Sequence, residues 1–291
     1  MKKTGFLALS LLAAGVANAA VYDIGDINTV TFDSSVDTLT NTGGITDWDN
    51  STLNINDGSN MTGVDLAGLG VTSWTSSSNG GAVTNWTNAN LSGIALNFSG
   101  GNNQFRDDNW NGANLSGATF TVGNNQPFVS TNNSSFQNTD FSGTTFDFTY
   151  TTAGAFGFNA FGGDVGSDKL AGADFSDSVW LFTGTSDGDA DAFNIGPGST
   201  SIATKAFAAD FSGADFSGVT DADTMGEIVA NLGLIDGTTN VGAIYDSNTV
   251  LPTGFTTADL DAAGWQTIPE PSSLLLGVAG MGLMLRRRVR N

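Results

Sequence analysis

The sequence predicts a repeat fold whose core is a thin apolar column, and two observations carry this. First, a hydrophobic residue returns every five positions between about residue 59 and residue 218. An α-helix repeats near 3.6 and a strand at 2, so a period of five fits neither common element. Self-similarity at a fixed period is the mark of a repeat architecture. Second, the chain combines 20 Phe with 39 Gly and only 13% charged residues. Disordered chains are poor in aromatics, so the Phe enrichment points to a packed core. Small polar residues dominate between the apolar positions, so that core is narrow.

The rungs begin at Met61, Leu66 and Val71 and continue at Trp86, Leu91 and Leu96. They recur at Phe105, Trp110, Leu115 and Phe120, then at Phe136, Phe141 and Phe146. Leu170, Phe175 and Trp180 follow, and Phe211 and Phe216 close the series. The best-formed units are Ala89-Asn90-Leu91-Ser92-Gly93, Ala113-Asn114-Leu115-Ser116-Gly117, Ala209-Asp210-Phe211-Ser212-Gly213 and Ala214-Asp215-Phe216-Ser217-Gly218. A small residue stands two before the apolar one, Asn or Asp one before, and Gly two after. These units resemble the pentapeptide-repeat family, whose wording is Ala-(Asp/Asn)-Leu-x-x with Phe often replacing Leu. The resemblance covers a little over half the chain. It implies an all-β fold, a right-handed quadrilateral parallel β-helix in which each pentapeptide makes one side. The central residue and the small one before it would point inward, and the other three would face water.

Leu66, Leu91, Leu115 and Phe141 are 25, 24 and 26 residues apart. A four-sided coil of pentapeptides would need about 20, so each coil is expected to have three regular sides and a longer fourth. The surplus would form irregular loops on one edge. From Phe141 to Phe175 and from Phe175 to Phe211 the intervals grow to 34 and 36, so larger loops leave there.

In chain order, residues 1–19 read as a signal peptide. Lys2 and Lys3 give a basic start, an apolar run follows, and Ala17-Asn18-Ala19 places small residues for cleavage after Ala19. Residues 20–58 are expected to form an N-terminal β cap. Val30, Phe32, Val36, Leu39, Ile45, Leu53 and Ile55 suit short strands broken by Thr42-Gly43-Gly44 and Asp57-Gly58. Residues 59–218 are the ladder, with Trp86, Trp110 and Trp180 as large core candidates. Asp187, Asp189 and Asp191 alternate as Ca²⁺ ligands do, but no Glu closes a twelve-residue loop, which favours a solvated acidic loop. Residues 219–267 are expected to cap the C-terminal end. One short helix is expected near Asp223, with Met225, Ile228, Val229 and Leu232 on its apolar face. The stretch from Gly242 to Phe255 looks like the segment that closes pentapeptide-repeat chains, with Tyr245 as a packing residue.

Residues 268–291 read as a sorting signal. Pro269-Glu270-Pro271 precedes an apolar run that ends at Leu285, and Arg286, Arg287, Arg288 and Arg290 follow. This resembles a PEP-CTERM signal. The prolines stop regular structure, the run is short for a permanent span, and the arginines hold the end on the cytoplasmic side. The resemblance implies processing by an exosortase-type membrane protease and delivery to the surface of a Gram-negative bacterium that makes exopolysaccharide.

Composition excludes several functions. There is no Cys, hence no disulfide, thiol nucleophile or Fe–S cluster. There is no His, hence no usual zinc site and no Ser-His-Asp triad. Net charge is −20, and setting aside Lys2, Lys3 and the four terminal arginines leaves three bases against 29 acids, a body near −26. Such a body repels nucleic acid and anionic lipid. The expectation is an exported, non-catalytic surface or matrix protein that uses no cofactor. Its partners would be the Sec export machinery, signal peptidase, the exosortase-type protease and extracellular polysaccharide. The tail would anchor it transiently in the inner membrane before it reaches the cell surface. The alternative is a carbohydrate-binding or carbohydrate-active protein using paired carboxylates.

Overall fold

The computed structural model of the chain describes residues 19–24, 32–49, 59–76, 85–98, 109–122, 135–149, 170–183, 209–220, 222–233 and 242–268. Over these residues the fold is all-β in its main body, made of parallel sheets, with two short helices. β1 (Val21–Asp23) pairs in parallel with β2 (Thr38–Thr40). The principal sheet has seven strands: β3 (Asp47–Asp49), β4 (Ser73–Ser76), β5 (Ala95–Phe98), β6 (Thr119–Val122), β7 (Thr145–Thr149), β8 (Val179–Thr183) and β9 (Asp215–Val219). They pair in chain order with none skipped. Their centres are in register: Trp48, Trp74, Leu96, Phe120, Phe146 and Trp180 stand opposite one another in turn.

Parallel pairing recurs along two other lines of the described residues. One set of single bridges joins Asp33, Asn60, Asn85, Asn109 and Ser135. The other joins Asp65, Asn90, Asn114, Asp140, Asp174, Asp210 and Ile244. Between Asn60 and Asp210 each bridge residue lies one before a rung, so the rungs themselves stack. Phe141, Phe175 and Phe211 stack with centroids 4.7 Å apart and planes within 7°. Trp86 lies on Trp110 at 4.9 Å and 7°, and Phe146 on Trp180 at 4.1 Å and 16°. Such offset stacks hide large apolar area and add about 0.5–1.5 kcal/mol per pair beyond burial.

Every rung read from the sequence is buried, except Phe105, which lies outside the described residues. One rung differs in register. Val71 is buried, yet the sheet position belongs to Trp74, three residues later. An extra turn intervenes: Asp65 accepts the Gly68 N–H on its carboxylate and the Leu69 N–H on its carbonyl, at 2.7 and 3.0 Å. A Cβ at residue 68 would collide with that carboxylate, so any larger residue there would displace the Asp65 side chain.

The stretch expected to be an N-terminal cap shares the same pairing. β3 belongs to the principal sheet, and Asp33 bridges Asn60. Phe32 is buried and Leu39 lies in β2, but Val36 sits in a turn and is exposed. Val30, Leu53 and Ile55 lie outside the described residues.

At the other end, α1 (Ala222–Leu232) forms where the sequence places a helix, with Met225, Ile228, Val229 and Leu232 buried. β10 (Ile244–Tyr245) follows. A second helix, α2 (Thr257–Ala263), corrects the expectation of one. It is too short to show apolar periodicity, and only Leu260 is buried in it. Its signals are local: Asp259 accepts the Thr256 N–H at 2.7 Å, and Gly264 ends it at φ 92°. β11 (Gln266–Thr267) then pairs with β10. Trp265 lies over Phe211 at 5.4 Å and donates its indole N–H to the Val229 carbonyl at 2.9 Å, which closes the apolar column.

Candidate interaction surface

The outward surface is built by the residue one before each rung. In Asn90-Leu91-Ser92-Gly93, Leu91 points in, and Asn90 Oδ1 accepts the Ser92 N–H at 3.1 Å. Asn60, Asn85, Asn109, Asn114, Asp140, Asp174, Asp210 and Asp215 each accept the N–H two residues on in the same way. Where that residue is Ser or Thr, its hydroxyl often donates too, at 2.6 Å to Asn60, Asn85, Asn114 and Asp140. This Asx geometry turns the corner with residues of the same repeat, and the Gly93 N–H adds a bond to the Ser116 carbonyl of the next at 2.9 Å. The turn is closed by the Ile94 N–H donating to the Leu91 carbonyl at 3.2 Å. Its third residue, Gly93, has φ 69° while Ser92 stays negative, the requirement of a type II turn. Asn88, Asn138 and Asp177 take the same place with φ from 53° to 57°. Asn and Asp are the side chains that tolerate it best.

The small residue two before each rung points inward. Ala89, Ala113, Ala173, Ala209 and Ala214 are fully buried. Where it is polar, a partner is provided: Thr139 donates to the Trp110 carbonyl at 2.8 Å and Thr144 to the Leu115 carbonyl at 2.9 Å.

Two kinds of outward face result. Along the second set of bridges, Asn90 and Asn114 give way to Asp140, Asp174 and Asp210, three carboxylates in consecutive repeats. On the principal sheet, Thr119 and Thr121 of β6 stand beside Thr145 and Asp147 of β7, all half-buried.

Two turn carboxylates have their acidity set by local donors. The Ser35 hydroxyl and N–H, with Asn60, hold Asp33 below the ordinary carboxylate value. At Asp246 burial acts upward, but the Gly213 and Asn248 N–H groups, the Asn248 amide and Thr249 outweigh it and hold it low. Tyr245 is pushed up to about 12 by burial and by its bond to Asp261, where the hydroxyl donates to Oδ1 at 2.7 Å.

Of the other residues singled out from the sequence, Ala19 is exposed. Asp187, Asp189, Asp191, Pro269, Glu270, Pro271, Arg286, Arg287 and Arg288 lie outside the described residues. Among the described residues no three His, Cys, Asp or Glu come together to hold a metal, and no helix is long and apolar enough to cross a membrane. Sequence reasoning missed Trp48, Trp74 and Trp265, which are buried at 1%, 4% and 4% exposure. The alternation Asp47-Trp48-Asp49 and Ser73-Trp74-Thr75 was the available signal for the first two. No protein-family model matches the chain, and no curated protein matches it.

Proposed function

We propose that this chain is an exported, non-catalytic structural or interaction protein of the cell surface or extracellular matrix. In this reading it is a pentapeptide-repeat protein whose body is a right-handed, four-sided parallel β-helix with irregular loops on one edge. The supporting observation is the coincidence of three parallel ladders with an inward rung after each bridge residue from Asn60 to Asp210. A rod of that kind presents rows of short polar side chains at the roughly 4.8 Å interval of hydrogen-bonded strands. Rows of this sort suit binding or scaffolding, because nothing in them needs to move.

Export rests on the N-terminal signal and on the Pro269-Glu270-Pro271, apolar and arginine tail. The tail holds the protein briefly at the inner membrane, and an exosortase-type protease then removes it. Mass spectrometry of the protein from its native host tests this. The expected mass starts at residue 20 and lacks the arginine tail. A full-length mass in the cytosol would overturn the reading. A glycan array then separates a binder from an inert scaffold, and release of reducing sugar would reveal a hydrolase.

A further inference from the structure

The first described strand starts where the leader is expected to end. Ala19 is exposed, Ala20 is half-buried and β1 begins at Val21. The Ala20 carbonyl accepts the Thr38 N–H at 2.9 Å, β1 pairs with β2 through all three residues, and the Ile24 N–H donates to the Thr40 carbonyl at 2.9 Å. The Ala20 nitrogen has a different partner. Its N–H donates to Asp37 Oδ1 at 3.1 Å. The turn before β2 aims that carboxylate: the Asp37 N–H donates to the Asp33 carbonyl at 2.7 Å, and Asp37 Oδ2 accepts the Asp33 N–H at 3.1 Å. At the start of β1 the side chains add little, since Val21 is 70% exposed. Tyr22 meets Phe32 edge-on at 6.2 Å, and Asp23 accepts the Thr42 N–H at 2.8 Å at the far end.

The sequence places cleavage at the peptide bond of this same nitrogen. Ala17-Asn18-Ala19 puts small residues where a signal peptidase reads them, so the cut falls between Ala19 and Ala20. The wording of the leader and the start of backbone pairing are independent observations, and they meet at one bond. Hydrolysis adds water across it. The Ala19 carboxylate leaves with the leader, and the Ala20 nitrogen gains two hydrogens to become an ammonium. That nitrogen already stands at hydrogen-bond distance from a carboxylate, and a charged donor strengthens such a bond. The surroundings favour a cation. Asp33 and Asp37 in the turn, with Tyr22 and Asp23 on β1, are the titratable groups of the elements packed here, and no Lys, Arg or His lies among the described residues.

We propose that Asp37 is the receptor for the α-ammonium group of the mature chain. Removal of the leader turns a neutral hydrogen bond into an ion pair and fastens β1 on the N-terminal end of the body. In the precursor the same nitrogen is an amide and carries no charge. Among the described residues β1 and β2 form a two-stranded sheet, so lifting β1 would bare the edge of β2, a template for pairing with another chain. This rests on the proposed export, through cleavage after Ala19.

The test titrates that amino group. The full-length protein is exported by a Gram-negative host, and the mass of the purified product identifies its first residue. Competitive acetylation at a series of pH values, read by mass on the N-terminal peptide, gives the midpoint. For a chain starting at Ala20 the midpoint should lie at least about half a pH unit above the ordinary α-amino range of about 7.7–8.0. Asp37→Asn should bring it down. So should retention of Ala19 as the first residue, which keeps Asp37 and moves the charge one residue outward. Hydrogen exchange across β4–β9 verifies that each chain is folded. An ordinary midpoint in the wild type, or a raised one that neither change lowers, overturns the site. A product that keeps its leader or starts elsewhere means that the processing reading fails. The site is then decided on the same chain released from an N-terminal fusion so that it begins at Ala20. A raised midpoint that Asp37→Asn lowers supports it, and an ordinary midpoint overturns it.

Discussion

Replacing Phe175 by Ala should cut the column in two. Its ring is fully buried between Phe141 and Phe211, with both centroids at 4.7 Å. It also meets Phe146 at 6.0 Å and Trp180 at 5.9 Å. Truncating a buried Phe to Ala costs about 3–5 kcal/mol, through lost transfer energy and the cavity left behind. The upper half of that range applies here. The backbone on both sides is fixed by parallel bridges from Asp174 to Asp140 and to Asp210, so the walls cannot collapse inward. A whole domain holds only about 5–15 kcal/mol. Because each repeat touches mainly its neighbours, the damage should be local. Urea unfolding supplies the total, and hydrogen exchange supplies its location. Protection should fall in β7, β8 and β9 and persist in β4 and β5. A loss below about 1 kcal/mol, or an even loss over all strands, would refute the reasoning.

Three further predictions follow from the same geometry. Trp74→Ala should cost about 3–5 kcal/mol and Val71→Ala about 1.5 kcal/mol, because Trp74 holds the register position and Val71 loses only two methyl groups; calorimetry on both variants checks the order. Asn90→Ala removes the acceptor for Ser92 and the amide that donates to Asp65 at 2.7 Å, a loss of about 1–2 kcal/mol, whereas Asn90→Asp keeps the acceptor for Ser92 but sets a second carboxylate against Asp65, a repulsion that high salt should relieve; denaturant midpoints at low and high salt separate the two. Tyr245→Phe should lower stability by about 1 kcal/mol at neutral pH. Since the folded value near 12 lies above the ordinary 10, the Tyr245 contribution is complete below pH 10 and disappears as pH rises through 12. The wild type should therefore lose more stability than the Phe variant over that window in pH-dependent urea titrations.

What could be read in advance was whatever the turn chemistry repeats. Leu91, Leu115, Phe211 and Phe216 stand inside because Asn or Asp before each one and Gly after it encode the corner locally. Trp74 escapes the five-residue period for a physical reason. The turn closed on Asp65 inserts three residues, and a five-residue count steps over the shift without registering it. Trp48 was hidden because no bridge-and-Gly wording surrounds it, although β3 joins the same sheet. α2 has only one buried residue, so no apolar period exists to find, and its capping Thr256 and Asp259 look like any polar pair. At the corners Asn and Asp are interchangeable as acceptors, so the change from Asn114 to Asp140 is not demanded by the turn. It adds charge without altering the corner.

The intervals between rungs pose a last question: how one register survives a change from 24 to 36 residues. Pairing at Asp140, Asp174 and Asp210 is the same as at Asn90 and Asn114, so along this line of bridges the interval length does not enter the register, while on the principal sheet β9 shifts against β8 after Val179. Loop closure explains why it need not. The entropic cost of a loop grows as (3/2)RT ln n, so lengthening an interval by half adds only about 0.4 kcal/mol. One buried rung outweighs that several-fold. Deleting ten residues from 184–208, outside the described residues, would shorten the Phe175–Phe211 interval to the length already spanned between Leu115 and Phe141. The melting temperature should then hold within a few degrees and the protection of β8 and β9 should be unchanged. If β8 and β9 instead lost protection, the intervening segment would be part of what holds the rungs together, and the inward side chains with their turns would not be sufficient.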